Sequence, residues 1–296
     1  MWSRNALTER LNLKWPILQA PMGSITTPAL AAAVSNAGGL GALGMWGFSP
    51  EDAERCIAGF RQQSGGGLNV NYPLWPEPKM IAEAIEAMRK HLQPHYDAQG
   101  LGPVPQPRAS AGEVSSEHLA MLLRAKPQVV SFHFGLPPWK VTDAIKGAGI
   151  FMICSATTVA EARILEDRGV DAVIAQGTEA GGHRGTFAGV DMIQQAGLSA
   201  VREASDASTV VTDMITGRPA RLFRNKLTDD LVASALEAVS FPAQMSLIAP
   251  LGAAGDRAVT AFFAGQSAAL AKDGNAASLV VSLGQETTRR LRAFHD

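Results

Sequence analysis

The feature that most constrains this chain is an alternation, repeated along its first two thirds, of short apolar runs with stretches of helical character. Pro16-Ile17-Leu18-Gln19-Ala20, Leu40 to Gly44, Leu68 to Tyr72, Gln128 to His133, Ile150 to Ser155 and Asp171 to Gln176 read as strands. Between them, Thr27 caps a helix that opens at Pro28 and ends at Gly38-Gly39. Further helices are predicted from Pro50 to about Gln62, over 117–125, over 138–147 and after the cap Thr158. Near-continuous apolar strands alternating with helices imply a parallel sheet covered on both faces. Six such units in chain order predict an α/β fold of the (β/α)8 TIM-barrel type. The barrel is expected to be incomplete, because closure takes eight strands and the sequence offers six.

The pattern is interrupted twice. Residues 73–112 are rich in proline and hold one amphipathic stretch, 78–92, expected as an elaborated loop over one end of the barrel. After Gly185 the alternation stops: a loop, a helical stretch near 198–204 and the run Ser208 to Val211 follow. From Asp229 onward the chain reads as alanine-rich helices with turns at Gly252, Gly255, Gly265 and Gly274. The predicted division is a barrel domain over 1–226, shortened between 186 and 208, and a small helical C-terminal cap over 227–296. Unpaired ladder groups are expected on the first and sixth strands, with the gap left open or filled by Ser208 to Val211 or by a neighbouring subunit.

Composition narrows the function classes. Hydrophobic residues at 46% supply a large core, and a net charge of −1 provides no field to draw nucleic acid or a membrane surface. The expected partner is a small molecule, with a homo-oligomer as the expected form of any self-association. No run reaches the roughly 18 apolar residues of a membrane span. Cys56 and Cys154 lie far apart, Cys154 inside an apolar run, so a buried thiol and a reducing compartment are expected. With no apolar leader at the start of the sequence, the expected location is cytoplasmic.

The chemistry concentrates in Gln176-Gly177-Thr178-Glu179-Ala180-Gly181-Gly182-His183-Arg184-Gly185. It begins at the carboxyl end of a predicted strand, where barrel enzymes place their sites. Its glycines let the backbone approach a flat ligand, and a histidine there can exchange a proton near neutral pH. A glycine-rich turn with an exposed histidine is the plainer reading. His133, at the end of the fourth strand between phenylalanines, is either a satisfied core residue or a second site histidine. His91, His95, His118 and His295 read as surface, and no pair is read as having metal-ligand spacing such as His-x-x-x-His with a nearby carboxylate, so no metal is expected. Thr216 to Lys226 concentrates four positive charges, read as a solvated surface or an anion contact.

Several of these segments resemble one family. Gln19-Ala20-Pro21-Met22 and Pro28 to Gly41 are similar to the opening signature of bacterial nitronate monooxygenases. Ser131-Phe132-His133-Phe134-Gly135, Glu179 to Gly185 and Thr216-Gly217-Arg218-Pro219-Ala220-Arg221 resemble further motifs of that family, in the same order. The resemblance implies an FMN-binding (β/α)8 barrel with a helical cap, oxidising alkyl nitronates with O2 to a carbonyl compound and nitrite. It implies that Ala20, Pro21, Met22 and Gly23 line the flavin ring. Asn71, Gln176, Gly181 and Gly182 would bond to or closely approach the FMN. His183 would be the base toward a neutral nitroalkane, or, protonated, would hold an anionic one, with His133 on the substrate side.

Two departures qualify that expectation. Family members carry two strand–helix units, which bind the FMN phosphate, between the glycine-histidine motif and the Thr-Gly-Arg-Pro segment; here Thr186 to Ser208 fills the interval, too short for two crossovers. In the cap, Phe241, Met245 and Ala249 stand where some members present tyrosines and a lysine. The alternatives are an NAD(P)H-dependent quinone or enoyl-thioester reductase on the same scaffold, or a non-catalytic remnant that has lost the phosphate site.

Overall fold

The computed structural model describes residues 2–23, 25–188, 209–271 and 274–293. The apolar runs form five parallel strands, each hydrogen-bonded to the next in chain order: β1 (Gly41–Gly44), β2 (Leu68–Pro73), β3 (Val129–His133), β4 (Phe151–Ala156) and β5 (Ala172–Ala175). Their register places Gly41 opposite Leu68, Asn69 opposite Val129, Val129 opposite Phe151 and Ile153 opposite Ala172. An unbroken sequential order belongs to a barrel wall; an open doubly wound sheet reverses its order at a switch point.

The first of the six expected strands is present in reduced form. Leu18 makes a single parallel bridge to Leu40, with the Leu40 N–H donating to Ile17 (2.9 Å) and the Gln19 N–H to Leu40 (2.9 Å). Pro16 and Pro21 bound this segment, and neither has an N–H to extend the ladder. At the other end of the sheet, no described strand pairs with the far edge of β5, where Val173 and Ile174 are 38% and 42% exposed. The barrel is therefore not closed among the described residues. The run expected to fill the gap goes elsewhere: β7 (Thr209–Thr212) pairs antiparallel with β8 (Ala220–Phe223), which also pairs with β6 (Gly182–His183). The helical stretch expected near 198–204 lies outside the described residues.

Helices α1 (Ala6–Arg10), α2 (Pro28–Asn36), α3 (Pro50–Arg61), α5 (Ser116–Ala125), α6 (Trp139–Gly147) and α7 (Val159–Asp167) surround the sheet. The oxygens of Thr27, Ser49, Ser115 and Thr158 accept a first-turn N–H at α2, α3, α5 and α7, satisfying donors that a helix start leaves free. The main core fills the space between sheet and helices with Leu43, Phe60, Val70, Met121, Val130, Ile145, Met152 and Leu165. Gly41 permits a close approach of backbone to backbone, because a Cβ there would stand 2.1 Å from the Ala31 carbonyl oxygen of α2.

A second core draws on both sides of the barrel sequence. Met88, Leu92 and Tyr96 of α4 (Ala82–Ala98) pack with Ile215, Leu222, Leu231 of α8 (Lys226–Ala233) and Leu247 of α9 (Ala243–Ala253). The Tyr96 hydroxyl donates to the Leu247 carbonyl at 2.7 Å. The segment expected as an elaborated loop thus contains a full helix that continues past Pro94. The last described helix, α10 (Ala276–Ala293), returns to the barrel and packs on α2 through Trp15, Val34 and Val280.

Candidate active site

The carboxyl ends of β3 and β4 and the chain following β5 meet at one rim. After His133 the backbone turns through positive φ at Phe134 (70°) and Gly135 (105°). The His133 Nε2 lies 3.3 Å from the His183 carbonyl, which only accepts, so this nitrogen carries the proton. Nδ1 is left to accept from the Ser155 hydroxyl at 2.9 Å. The structure therefore brings His133 and the glycine-histidine loop together. Gly185 is required for that approach, since a Cβ would stand 2.9 Å from the His133 Cε1.

Gln176 fastens the loop from both sides: its Nε2 donates to the His183 carbonyl (2.9 Å) and its Oε1 accepts the Gly185 N–H (2.7 Å). This amide, expected at the cofactor, shapes the backbone that carries His183. The Arg184 guanidinium braces the loop from inside, donating to the carbonyls of Gly177 (2.7 Å) and Ala180. Gly181 passes the backbone of Ala264 and Gly265, where a Cβ would come within 2.6 Å of both. Gly182 adopts φ 76°, and a Cβ on it would meet open space.

The His183 ring stands among aromatic neighbours, with centroids 5.8 Å from Phe134, 5.3 Å from Phe241 and 5.1 Å from Phe263. Its Nε2 is sealed from solvent and has no hydrogen-bond partner among the described residues. Phe241 joins this histidine to the other rim residues, lying 5.1 Å from Trp46, 5.2 Å from Trp75 and 5.7 Å from Phe134. Trp46 and Trp75 stack at 4.5 Å. The turn Ala20 to Gly23 reaches the same place: a Cβ on Gly44, the last residue of β1, would stand 2.9 Å from the Gly23 nitrogen, and one on Gly23 would stand 3.7 Å from the Trp46 Cβ. Thr26 shapes that turn by accepting the Met22 N–H at 3.0 Å. Asn71, buried on β2, donates to the Ser131 hydroxyl at 2.9 Å and the Ser131 carbonyl at 3.2 Å.

Electrostatics at the rim depart from the expectation of a titrating histidine. Burial, with the neighbouring His133, Arg218 and Arg184, pushes the His183 imidazole down to about 3. Burial and the two arginines likewise bring His133 down to about 4, against the opposing effect of its bond to the His183 carbonyl. Both rings are neutral at physiological pH, so neither supplies a positive charge. The cations here are arginines, and the charge run divides: Arg224 and Lys226 are exposed, whereas its first two cations turn inward. Arg218 and Arg221 are buried, Arg221 bonding the Thr178 carbonyl (3.1 Å) and the Thr209 hydroxyl (2.8 Å).

Three further features were missed or misread. Glu161, fully buried, accepts the N–H groups of Thr157 (2.7 Å), Phe187 (2.5 Å) and Ala188 (3.1 Å). Burial alone would raise its pKa; the bonds outweigh it and the carboxyl sits below its ordinary value. Its spacing from Thr158 was a legible signal, because Thr-x-x-Glu marks a helix start. His91 and His95, read as surface without a shared carboxylate, stand four residues apart on α4 and both reach Asp230 of α8, at 2.9 and 2.8 Å. Among the described residues no group is arranged to hold a metal ion. His118, also read as surface, is half-buried against the Tyr72 ring and the Phe48 carbonyl. Cys154 is buried as expected, its thiol pushed up to about 12 by burial and therefore inert.

No described helix is long and apolar enough to cross a membrane. The sequence profile of the nitronate monooxygenase family matches residues 4–206. A nitronate monooxygenase of Paraburkholderia phytofirmans is 40% identical over 190 residues, covering 62% of this chain and 51% of that protein. A probable nitronate monooxygenase of Staphylococcus aureus (strain Newman) is 36% identical over 187 residues, 63% of this chain and 52% of its own length. The chain thus spans about half the length of the curated relatives it matches. Among solved structures, nitroalkane oxidase from Streptomyces ansochromogenes superposes with a TM-score of 0.81 at 28% identity, covering 97% of this chain and 99% of that one. FabK from Thermotoga maritima, at 22% identity and a TM-score of 0.67 over 98% and 99% of the two chains, shares the fold.

Proposed function

The chain belongs to the nitronate monooxygenase family, and on that premise we propose that it is a flavin-dependent oxidoreductase converting alkyl nitronates, with O2, to carbonyl compounds and nitrite. The observation that carries the proposal is the His183 Nε2, a buried polar atom without a partner among the described residues, beside the carboxyl end of a strand in a parallel barrel wall. Such an atom is costly unless a ligand completes it.

The ring side of an FMN fits the residues present. The turn Ala20–Gly23 is half-exposed beside Gly44, Gly182 leaves open space, and His183 offers a free nitrogen. Ala20, Pro21, Met22, Gly23, Asn71, Gly181 and Gly182 would hold the group, with Gln176 acting through the loop it fastens. A bound flavin would supply the electron acceptor that protein side chains lack. The chain's own residues bind, orient and exclude water. Phe134, Phe241 and Phe263 keep water from His183, and Ser155 with the His183 carbonyl fixes the His133 tautomer. In its neutral form the His183 Nε2 can take a proton from a nitroalkane. Its low proton affinity makes that a slow step, so a preformed nitronate is the better substrate.

The test is direct. Purified protein, reconstituted with FMN, should show a flavin absorption band, consume O2 when given ethyl nitronate and release nitrite. A second reading, a non-catalytic remnant, is favoured by the Phe241 ring, which packs against Trp46, Trp75, Phe134 and His183 at the mouth. Colourless protein that FMN fails to reconstitute would establish that reading and overturn the first.

A further inference from the structure

Beside His183 lies a buried cation with no ion-pair partner among the described residues. Arg218, 8% exposed, stacks its guanidinium 3.8 Å above the Phe134 ring. The same ring packs 4.3 Å from His133 and 5.8 Å from His183. One terminal nitrogen donates to the Thr186 carbonyl, while Nε is buried with no partner among the described residues. Among the described residues no carboxylate stands within ion-pair distance of Arg218. Glu161 is the carboxylate it feels, and the oxygens of Glu161 are engaged by backbone N–H groups and Thr157. Burial lowers the guanidinium to about 10, which leaves it charged at neutral pH. A buried, unpaired charge is strongly disfavoured, and a site that keeps one gains most by admitting an anion.

The alternative holders of an anion are poor. His133 and His183 are neutral, and the terminal nitrogens of Arg184 are engaged by carbonyls of its own loop. We infer that Arg218 receives the charged end of a small planar oxyanion, a nitronate or carboxylate, against the Phe134 face beside His183. The inference rests on the proposed oxidation of an anionic substrate and names the residue that selects the anion. Arg218 acts by Coulomb attraction and one or more N–H donors, and the stack on Phe134 fixes the plane of the fork.

The experiment compares the full chain with Arg218→Met and Arg218→Lys. Calorimetric titration with sodium nitrite, a planar mono-anion, reads binding without needing turnover. The FMN-reconstituted proteins are then assayed with ethyl nitronate and with neutral nitroethane. Arg218→Met should weaken nitrite binding and raise KM for the nitronate by at least about ten-fold, the loss of one charge-assisted hydrogen bond. KM for nitroethane should rise several-fold less than KM for the nitronate. Arg218→Lys, which keeps the charge but not the fork, should bind nitrite with an affinity between those of the unaltered chain and Arg218→Met. Near-UV circular dichroism verifies folding; should the methionine variant not fold, the lysine variant's intermediate affinity carries the comparison. Unchanged nitrite binding in a folded Arg218→Met would overturn the inference. So would inorganic phosphate competing as strongly as nitrite, since that would assign the charge to a phosphate-bearing group. Nitrite binding that depends on Arg218 in a protein inert toward nitronates would keep the anion site and remove the proposed reaction instead.

Discussion

His183 shows what motif reading can and cannot supply at the scale of one residue. Its place was legible, because a glycine-rich loop after an apolar strand belongs at the carboxyl rim. Its protonation was not, because burial under Phe134, Phe241 and Phe263 and two arginines from distant segments is set only by the fold. His183→Ala is expected to lower turnover of neutral nitroalkane at least about ten-fold more than turnover of nitronate, as judged from kcat/KM on both substrates. Equal losses would assign the ring to binding alone. The two histidines also predict an acid liability. In the unfolded chain they take protons near pH 6.5, whereas in the fold they stay neutral down to about 4 for His133 and about 3 for His183. Below pH 6.5 the unfolded state binds more protons, so their contribution to stability falls as pH drops through that window. Urea melts at pH 7 and pH 5 should show a lower midpoint at pH 5, and His183→Phe should flatten the difference. An identical slope in that variant would place the acid sensitivity elsewhere.

At the scale of elements, the strands were readable because each is an unbroken apolar run, and the caps because Thr, Ser and Pro stand where a helix starts. Two elements hid. Helix α4 runs on past Pro94 because Tyr96 is held from outside, by the second core and the Leu247 carbonyl. Strand β8 hid inside a charge run because Arg221 is satisfied by Thr178 and Thr209, both remote in sequence. Two glycines give opposite expectations. Gly41→Ala drives a Cβ into the Ala31 carbonyl, and backbone cannot yield as a side chain can; a loss of roughly 3 kcal/mol or failure to fold is expected. Gly147→Ala, near the end of α6 with nothing within 4 Å, should gain roughly 0.5–1 kcal/mol. Chemical denaturation of both variants checks the contrast. The junction of α4 and α8 offers a third. The bond from His95, then that from His91, holds the Asp230 carboxyl below its ordinary range. Asp230→Asn should cost roughly 0.5–1 kcal/mol at pH 7, discounted for exposure. That difference should vanish as pH falls through the depressed carboxyl value, because the native carboxylate is then protonated. A penalty that persists in acid would show that charge has no part in the junction.

For the molecule as a whole, the count of strands was the most informative reading: six were expected, and the described residues hold five with a bridged sixth, in sequential parallel order. What the sequence hid was the destination of the chain beyond the gap, because residues 209–212 pair with β8 through contacts that no local pattern announces. The bare edge of β5 yields a prediction: two strand–helix units from a longer relative, grafted between Thr186 and Thr209, should raise both the melting temperature and FMN affinity. Scanning fluorimetry and a flavin fluorescence titration would measure them, and a graft that lowers both would mean the shortened wall is already complete in its own way. The seam made by α10 has a different kind of outcome. Trp2 donates to Thr288 across 286 positions, and Gly284 lies so close to the Trp15 ring that a Cβ would stand 2.4 Å from it. On a ribosome adding about 5–20 residues per second, Trp15 and the apolar flank of α2 would wait roughly 15–50 seconds for the helix that covers them. During that time Trp15 and the apolar flank of α2 stand open to solvent, so this seam is among the last parts of the described fold that can form as the chain is made.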